Sequence, residues 1–337
     1  MPKTYESYII SRQEAIEKVN TWARKKKPFL WISSFDQKEH LVLDKQQAEK
    51  AQVFFKIGRH RNYSSPKKKT LAPYSFQKRP INQEEYARSY QIVKDNLDYG
   101  NTYLVNLTKA TKVETDLSLE QIFMHANAPY KLWIKDKLVV FSPEIFVKTQ
   151  KGKISSFPMK GTIDAGIPHA EEIILNDKKE IAEHNTIVDL IRNDLSMISK
   201  NVKVKRFRYI DEVKTNQKTL LQVSSEIEGE ISGDFFHHLG HHLSKLLPAG
   251  SISGAPKKRT LEIIQEAEQY ERGFYTGTMA YFDGEELDSA VMIRYIEKVK
   301  NQLWFKSGGG ITTFSQCEKE YKELIDKVYL PFGWKDG

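Results

Sequence analysis

A chain of 337 residues, 39% hydrophobic and 28% charged, can bury a substantial core as one large domain or two ordinary ones. Its single cysteine, Cys317, excludes an internal disulfide and a Cys-rich zinc site, and no signal-peptide order or membrane-length apolar run is found, so a cytoplasmic address is expected. The net charge of +8 suits nucleic acid, an anionic membrane or a small acidic substrate. Much of it sits at residues 25–27 and 67–69, without interleaved aromatics, which favours solvated charge over nucleic-acid binding.

In chain order, an amphipathic stretch precedes a strand pair near 29–32 and 40–43, and a polar, Pro-containing loop covers 59–80. A helix follows. Asn82 and Glu85 have capping-box spacing, Tyr86, Tyr90, Val93 and Leu97 share a face, and Gly100 is placed to stop it. A strand over 102–108 leads to a meander of four short strands at 131–134, 138–141, 145–149 and 153–157. The stretch SSFPMKGT comes next, with Lys160 set among residues suited to a tight, close-packed turn. Residues 169–195 read as helix, with Ile181, Ile187, Val188 and Ile191 as the buried side. Strands at 202–209 and 219–227, helices at 234–247 and 256–268, strands at 274–282, 289–299 and 302–306, and a helix over 315–329 complete the chain. Strands and helices come in groups without regular alternation. This pattern predicts an α+β fold with antiparallel sheets.

Two helices repeat one carboxylate spacing, Glu180-x-x-Glu183 and Glu320-x-x-Glu323, which puts each pair on one helix face. Most such pairs are solvated surface. If the two faces met, the cluster would repel itself unless protonated or bound to a hard cation such as Mg²⁺. The stretch PAGSISGAPKKR is either an anion-holding helix start or a plain one. Gly308, Gly309 and Gly310 permit a bulge or a close ligand approach, and Arg294, in a strand-like segment, reaches solvent or offers a planar fork to a buried carboxylate. The histidines at 237, 238, 241 and 242 split over adjacent helix faces and fit a surface helix better than a metal site.

The order of these blocks says more than any one of them. SPE at 142–144, PMKGT at 158–162, KKEIAEHNTIVDLIRNDLS, PAGSISGAPKKR, RGFYTGTMAYF, the Ile293–Arg294 pair, SGGGI and EKEYKELIDKV follow one another between residues 86 and 328. The chain closely resembles the chorismate-binding enzymes. That resemblance implies two large, mostly antiparallel sheets packed face to face with helices outside. Residues 1–80 would add strands to the same fold as a catalytic region at 81–332, giving one structural domain overall.

Within the family, the resemblance makes Lys160 the discriminating residue. Anthranilate and isochorismate synthases usually carry alanine there, whereas lysine marks the subgroup that aminates chorismate at C4, the aminodeoxychorismate synthases. Leu104 stands where isochorismate and salicylate synthases have a general-base lysine and where this subgroup usually has glutamine. Gln222 stands where many relatives have histidine, and the Leu-Leu-Glu-Ser-like motif of a tryptophan feedback site is absent from the sequence. The resemblance implies that Glu144 protonates the leaving C4 hydroxyl and that Lys160, as a neutral amine with a depressed pKa, attacks C2. It implies Mg²⁺ held by Glu183 and Glu323, with Glu180 and Glu320 on its waters. Tyr281, Arg294 and the backbone of Gly308, Gly309 and Gly310 would hold the enolpyruvyl carboxylate, with Gly161, Thr162 and Lys327 as further substrate contacts. Ammonia would come from a separate glutamine amidotransferase subunit. The alternatives are anthranilate synthase chemistry and, more distantly, a non-catalytic basic binding protein on the same scaffold.

Overall fold

The computed structural model describes residues 4–64, 71–214 and 219–332; the basic run at 67–69 lies outside the described residues. Side-chain alternation sets the layers. All five residues of the strand Leu138–Ser142 are buried: Leu138 and Val140 enter one apolar cluster, Val139 and Phe141 another. Phe29–Ser33 behaves in the same way, with Leu30 and Ile32 on one side and Phe29 and Trp31 on the other. A strand with two apolar faces is stable only between two other layers.

Among the described residues the strands form two nine-stranded sheets with antiparallel pairing. The first runs Met159–Asp164, Thr219–Glu230, Lys153–Ser156, Ile145–Gln150, Leu287–Val291, Thr278–Phe282, Phe29–Ser33, His40–Leu43, with Lys200–Lys214 also paired to Thr219–Glu230. The second runs Gly254–Ala255, Leu104–Thr115, Gln302–Ile311, Tyr295–Val299, Leu138–Ser142, Tyr130–Ile134, Val53–Ile57, His60–Arg61, with Phe76–Arg79 beside Leu104–Thr115. They face each other across Leu30, Ile32, Phe55, Leu132, Met279 and Tyr295. Helices Arg12–Arg24, Lys178–Ser196 and Leu239–Leu246 cover the outside of the first sheet through Val19, Ile187 and Leu243, and Leu119–His125 covers the second through Ile122 and Phe123. The result is the expected α+β sandwich. Strands from before residue 80 enter both sheets, since Phe29–Ser33 pairs with Thr278–Phe282 and Val53–Ile57 with Tyr130–Ile134.

Two expected runs of strand are broken, and both breaks matter for the site. The four-strand meander is two hairpins in different sheets, and the chain crosses between them at Ser142, Pro143 and Glu144. The segment 289–299 likewise divides into Leu287–Val291 in the first sheet and Tyr295–Val299 in the second. Arg294 sits at this second crossing with φ +53°, not within a strand. The two crossings run side by side: Val291 N donates to Glu144 O at 3.1 Å and Phe141 N to Arg294 O at 3.0 Å. Periodicity marked the break at 142–144 but not which sheet each strand joins, and it did not mark the break at Arg294.

The helix expected over 169–195 is also divided, into Ala170–Asn176 and Lys178–Ser196, because Asp177 caps the second by accepting from Glu180 N at 3.0 Å. Gln302–Ile311 continues as strand through its three glycines, paired to Leu104–Thr115. In the histidine run, Asn20 bonds His241 at 2.8 Å and His242 stacks on Phe235, so these rings serve helix packing. No helix among the described residues is long and apolar enough to cross a membrane.

Candidate active site

The site forms where one end of the first sheet meets the glycine strand of the second. Lys160 lies on Met159–Asp164, whose register to Thr219–Glu230 shifts between Met159 and Thr162, with Gly161 at φ +81°. Such a bulge re-aims the side chains around it. A Cβ at Gly310 would lie 2.8 Å from Lys160 Nζ and 3.0 Å from Leu104 Cδ1, so glycine there makes room for the lysine, and Leu104 forms an apolar wall beside it. A Cβ at Gly161 would lie 3.0 Å from Glu180 Oε2, and one at Gly309 within 3.4 Å of Glu323 Oε1 and 3.6 Å of Glu320 Oε2. The glycines thus border the carboxylates of both helices.

Lys160 Nζ lies 3.4 Å from Glu183 Oε2. Burial alone would depress its pKa, but the carboxylates of Glu183, Glu323 and Glu180 outweigh burial and raise it. The expected neutral amine is therefore a held ammonium in this arrangement. Lys327 Nζ donates to Glu323 Oε1 at 2.6 Å and to Gly308 O at 2.8 Å, and burial lowers its pKa despite that carboxylate. Glu183 and Glu320 are buried, at 4% and 3% exposure.

Carboxylates of both helices act on Lys160, which lies 3.4 Å from Glu183, while Lys327 pairs with Glu323. Among the described residues no three His, Cys, Asp or Glu side chains are grouped to hold a metal ion. The donor set still fits a hard dication that uses one or two carboxylates and completes its shell with water and substrate oxygens. It does not fit an all-protein cage.

Glu144 occupies the first sheet crossing. Burial raises its pKa, against the hydrogen bond from Ser251 and the charges of Lys160, Arg294 and Lys327. Ser251 Oγ donates to Glu144 Oε1 at 2.6 Å. Ser251 belongs to the PAGSISGAPKKR block, but nothing in its spacing tied it to Glu144. Arg294 occupies the other crossing, stacks its guanidinium 5.5 Å above Tyr329, and leaves a buried Nε with no hydrogen-bond partner among the described residues. An orphaned guanidinium donor beside a cleft suits a carboxylate ligand.

Tyr281 is not part of this constellation. It packs on Phe55 and His60, opposite Asp288, three residues along its strand from Thr278, which pairs with Val291 at the Glu144 crossing. Three residues of strand are about 10 Å. Tyr275, from the same motif RGFYTGTMAYF, is 3% exposed, and burial raises its pKa, with Arg272, Glu268, Arg294 and Glu144 among the charges around it. It precedes the strand start at Thr278, whereas Tyr281 lies within the strand. Thr162 is exposed and pairs with Gln222 at the outer edge of the site.

An acid with a raised pKa, two lysines, an arginine with an unpartnered Nε and four glutamates at the junction of the two sheets could bind a small polyanion and pass it a proton. The sequence matches the chorismate binding enzyme family over residues 10–332, and the chain belongs to that family. It is 46% identical, over 96% of its length and 98% of the other's, to an uncharacterized PabA-like protein of Haemophilus influenzae. Anthranilate synthase component 1 of Acetivibrio thermocellus is 33% identical over 74% of this chain and 52% of its own length. Aminodeoxychorismate synthase component 1 of Bacillus subtilis is 29% identical over 74% and 55%. The chain spans about half the length of these two synthases. MenF, the menaquinone-specific isochorismate synthase of Escherichia coli, shares the fold, with a TM-score of 0.72 at 15% identity over 95% of this chain and 82% of that one.

Proposed function

We propose that this chain is the chorismate-aminating component of an aminodeoxychorismate synthase, acting with ammonia to give 4-amino-4-deoxychorismate in the route to p-aminobenzoate and folate. The observation that carries this reading is the placement of Lys160 in the cleft, against Gly310 and the apolar Leu104, with Glu144 within its field. A leucine at that wall supplies no base for water, which argues against isochorismate chemistry.

Hydroxide is a poor leaving group, and Glu144, whose pKa burial raises, donates its proton to the C4 oxygen as that bond breaks. Lys160, once deprotonated, attacks C2 of the ring; ammonia then adds at C4 and the C2–N bond breaks, returning the electron pair to lysine. Arg294 and Lys327 hold carboxylate groups of the substrate. Glu183 and Glu323 would hold a Mg²⁺, which would supply charge neutralisation for the ring carboxylate and for the glutamates around Lys160. Glu180 and Glu320 would hold its waters. Ammonia delivery falls to a glutamine amidotransferase subunit, and a cytoplasmic setting accords with the single cysteine.

The test incubates the purified chain with chorismate, ammonium and Mg²⁺ and separates the products by mass. The expected product is aminodeoxychorismate, converted to p-aminobenzoate by an added lyase. The 33% identity to an anthranilate synthase component favours the second reading, and fluorescent anthranilate as the product would establish that one instead.

A further inference from the structure

Ser251 sits in a single helical turn, Gly250–Ser253, that is clamped from both sides. On one side Asp194, near the end of Lys178–Ser196, accepts from the Gly250 backbone N–H. Lys257 Nζ donates to Asp194 Oδ1 at 3.2 Å and to Leu246 O at 3.1 Å. The approach is close: a Cβ at Gly250 would lie 2.8 Å from Leu190 and 3.2 Å from Asp194 Oδ2. On the other side the buried Arg272 donates to Ile252 O at 2.9 Å. A cavity of about 20 Å³ lies behind Glu144, lined by Asp194, Leu195, Leu246, Gly250 and Ser251 among others. Space behind a carboxyl lets it swing unless something fixes it.

From this geometry we propose that Asp194 is a positioning residue for the acid: through the Gly250–Ser253 turn it sets Ser251 against Oε1 of Glu144, leaving Oε2 to carry the proton toward the cleft. The inference rests on the reading of Glu144 as the proton donor. Asp194 acts on the acid through the turn, and the Ser251 hydroxyl donates to the acid. A donor to a carboxylate favours its charged form, so losing the Ser251 bond raises the pKa of Glu144. The acid works protonated and activity falls as pH rises through its pKa, so the basic limb of the rate profile moves upward. The charged groups facing Glu144 are Lys160, Arg294 and Lys327, with Tyr275 beside them, and none is altered in the test.

The experiment measures chorismate amination with ammonium and Mg²⁺ across pH for the full chain carrying Ser251→Ala, Ser251→Thr, Asp194→Asn or both Ser251→Ala and Asp194→Asn. Expected are a fall in kcat of about 10- to 100-fold for Asp194→Asn with KM for chorismate nearly unchanged. Its basic limb shifts upward as for Ser251→Ala, the double variant loses no more than the worse single one, and Ser251→Thr keeps the wild-type limb. Gly250→Ala displaces the same turn without touching the Asp194 charge and gives the same shift, which preserves the test if Asp194→Asn does not fold. A shifted limb in Ser251→Ala with wild-type kcat and limb in Asp194→Asn and Gly250→Ala overturns the role of Asp194. Unchanged limbs in all variants, with Glu144→Gln inactive, overturn the positioning scheme while the acid stands. An active Glu144→Gln overturns the reading beneath it.

Discussion

Lys160 and Glu144 both have raised pKa values for different reasons, the lysine through the glutamates around it and the carboxyl through burial. If the lysine is the C2 nucleophile, Lys160→Ala loses C4 amination to the detection limit while still binding chorismate, which product analysis and equilibrium binding check together. Retained amination would remove the covalent step from the scheme. Glu144→Gln keeps the shape but carries no transferable proton, and kcat falls about 10²- to 10⁴-fold. Burial raises the acid's pKa, so the wild-type rate declines on the basic side as Glu144 ionises. The residual rate of Glu144→Gln lacks that limb, and a limb that persisted in the variant would belong to another group. At this scale the sequence identified most groups by type and order. It missed Ser251, whose bond to Glu144 joins residues 107 positions apart, and it named Tyr281, which packs on Phe55 and His60.

Elements with strong local signals stand where the pattern put them. Gln83–Asp98 begins after Asn82, whose side chain accepts from Glu85 N at 2.8 Å, and its buried face holds Tyr86, Tyr90, Val93 and Leu97. That cap satisfies one of the helix's orphan N–H groups at an exposed position. Asn82→Ala is therefore expected to lower stability by about 1 kcal/mol. The matching observations are a lower midpoint in denaturant and an unchanged kcat; a fall in kcat would mean that this helix shapes the site. The elements that carry the chemistry were harder to read. Both sheet crossings fall at short polar interruptions, Ser142–Glu144, where Pro143 is exposed, and Arg294 in an otherwise apolar segment. Such interruptions show where a strand stops, and they do not say which sheet the next strand joins.

At the scale of the molecule, the layered class followed from the grouping of strands and helices, but which strands neighbour which depended on contacts between distant segments, such as Thr219–Glu230 beside Met159–Asp164. One buried ion pair joins several such segments. Glu268 and Arg272 are both 1% exposed in their side chains and 2.6 Å apart. Glu268 Oε1 accepts from Thr108 N at 2.8 Å, while Arg272 reaches Asn106 O at 2.6 Å and Ile252 O at 2.9 Å. The pair thus ties helix Lys257–Glu268 to the second sheet and to the turn that bears Ser251. Removing one partner strands a charge in the interior, at a loss of about 3–5 kcal/mol, whereas replacing both by apolar groups of similar volume is close to neutral. Against a total stability on the order of 5–15 kcal/mol, the single loss is large. Glu268→Leu should therefore unfold at a markedly lower denaturant midpoint, and Glu268→Leu with Arg272→Met should recover much of the difference. Recovery of stability without recovery of kcat would show that the arginine's hold on Ile252 O serves the active-site turn as well as the fold. Equal stability of the single variant and the wild type would mean that water reaches the pair and that the two segments are held together by packing alone.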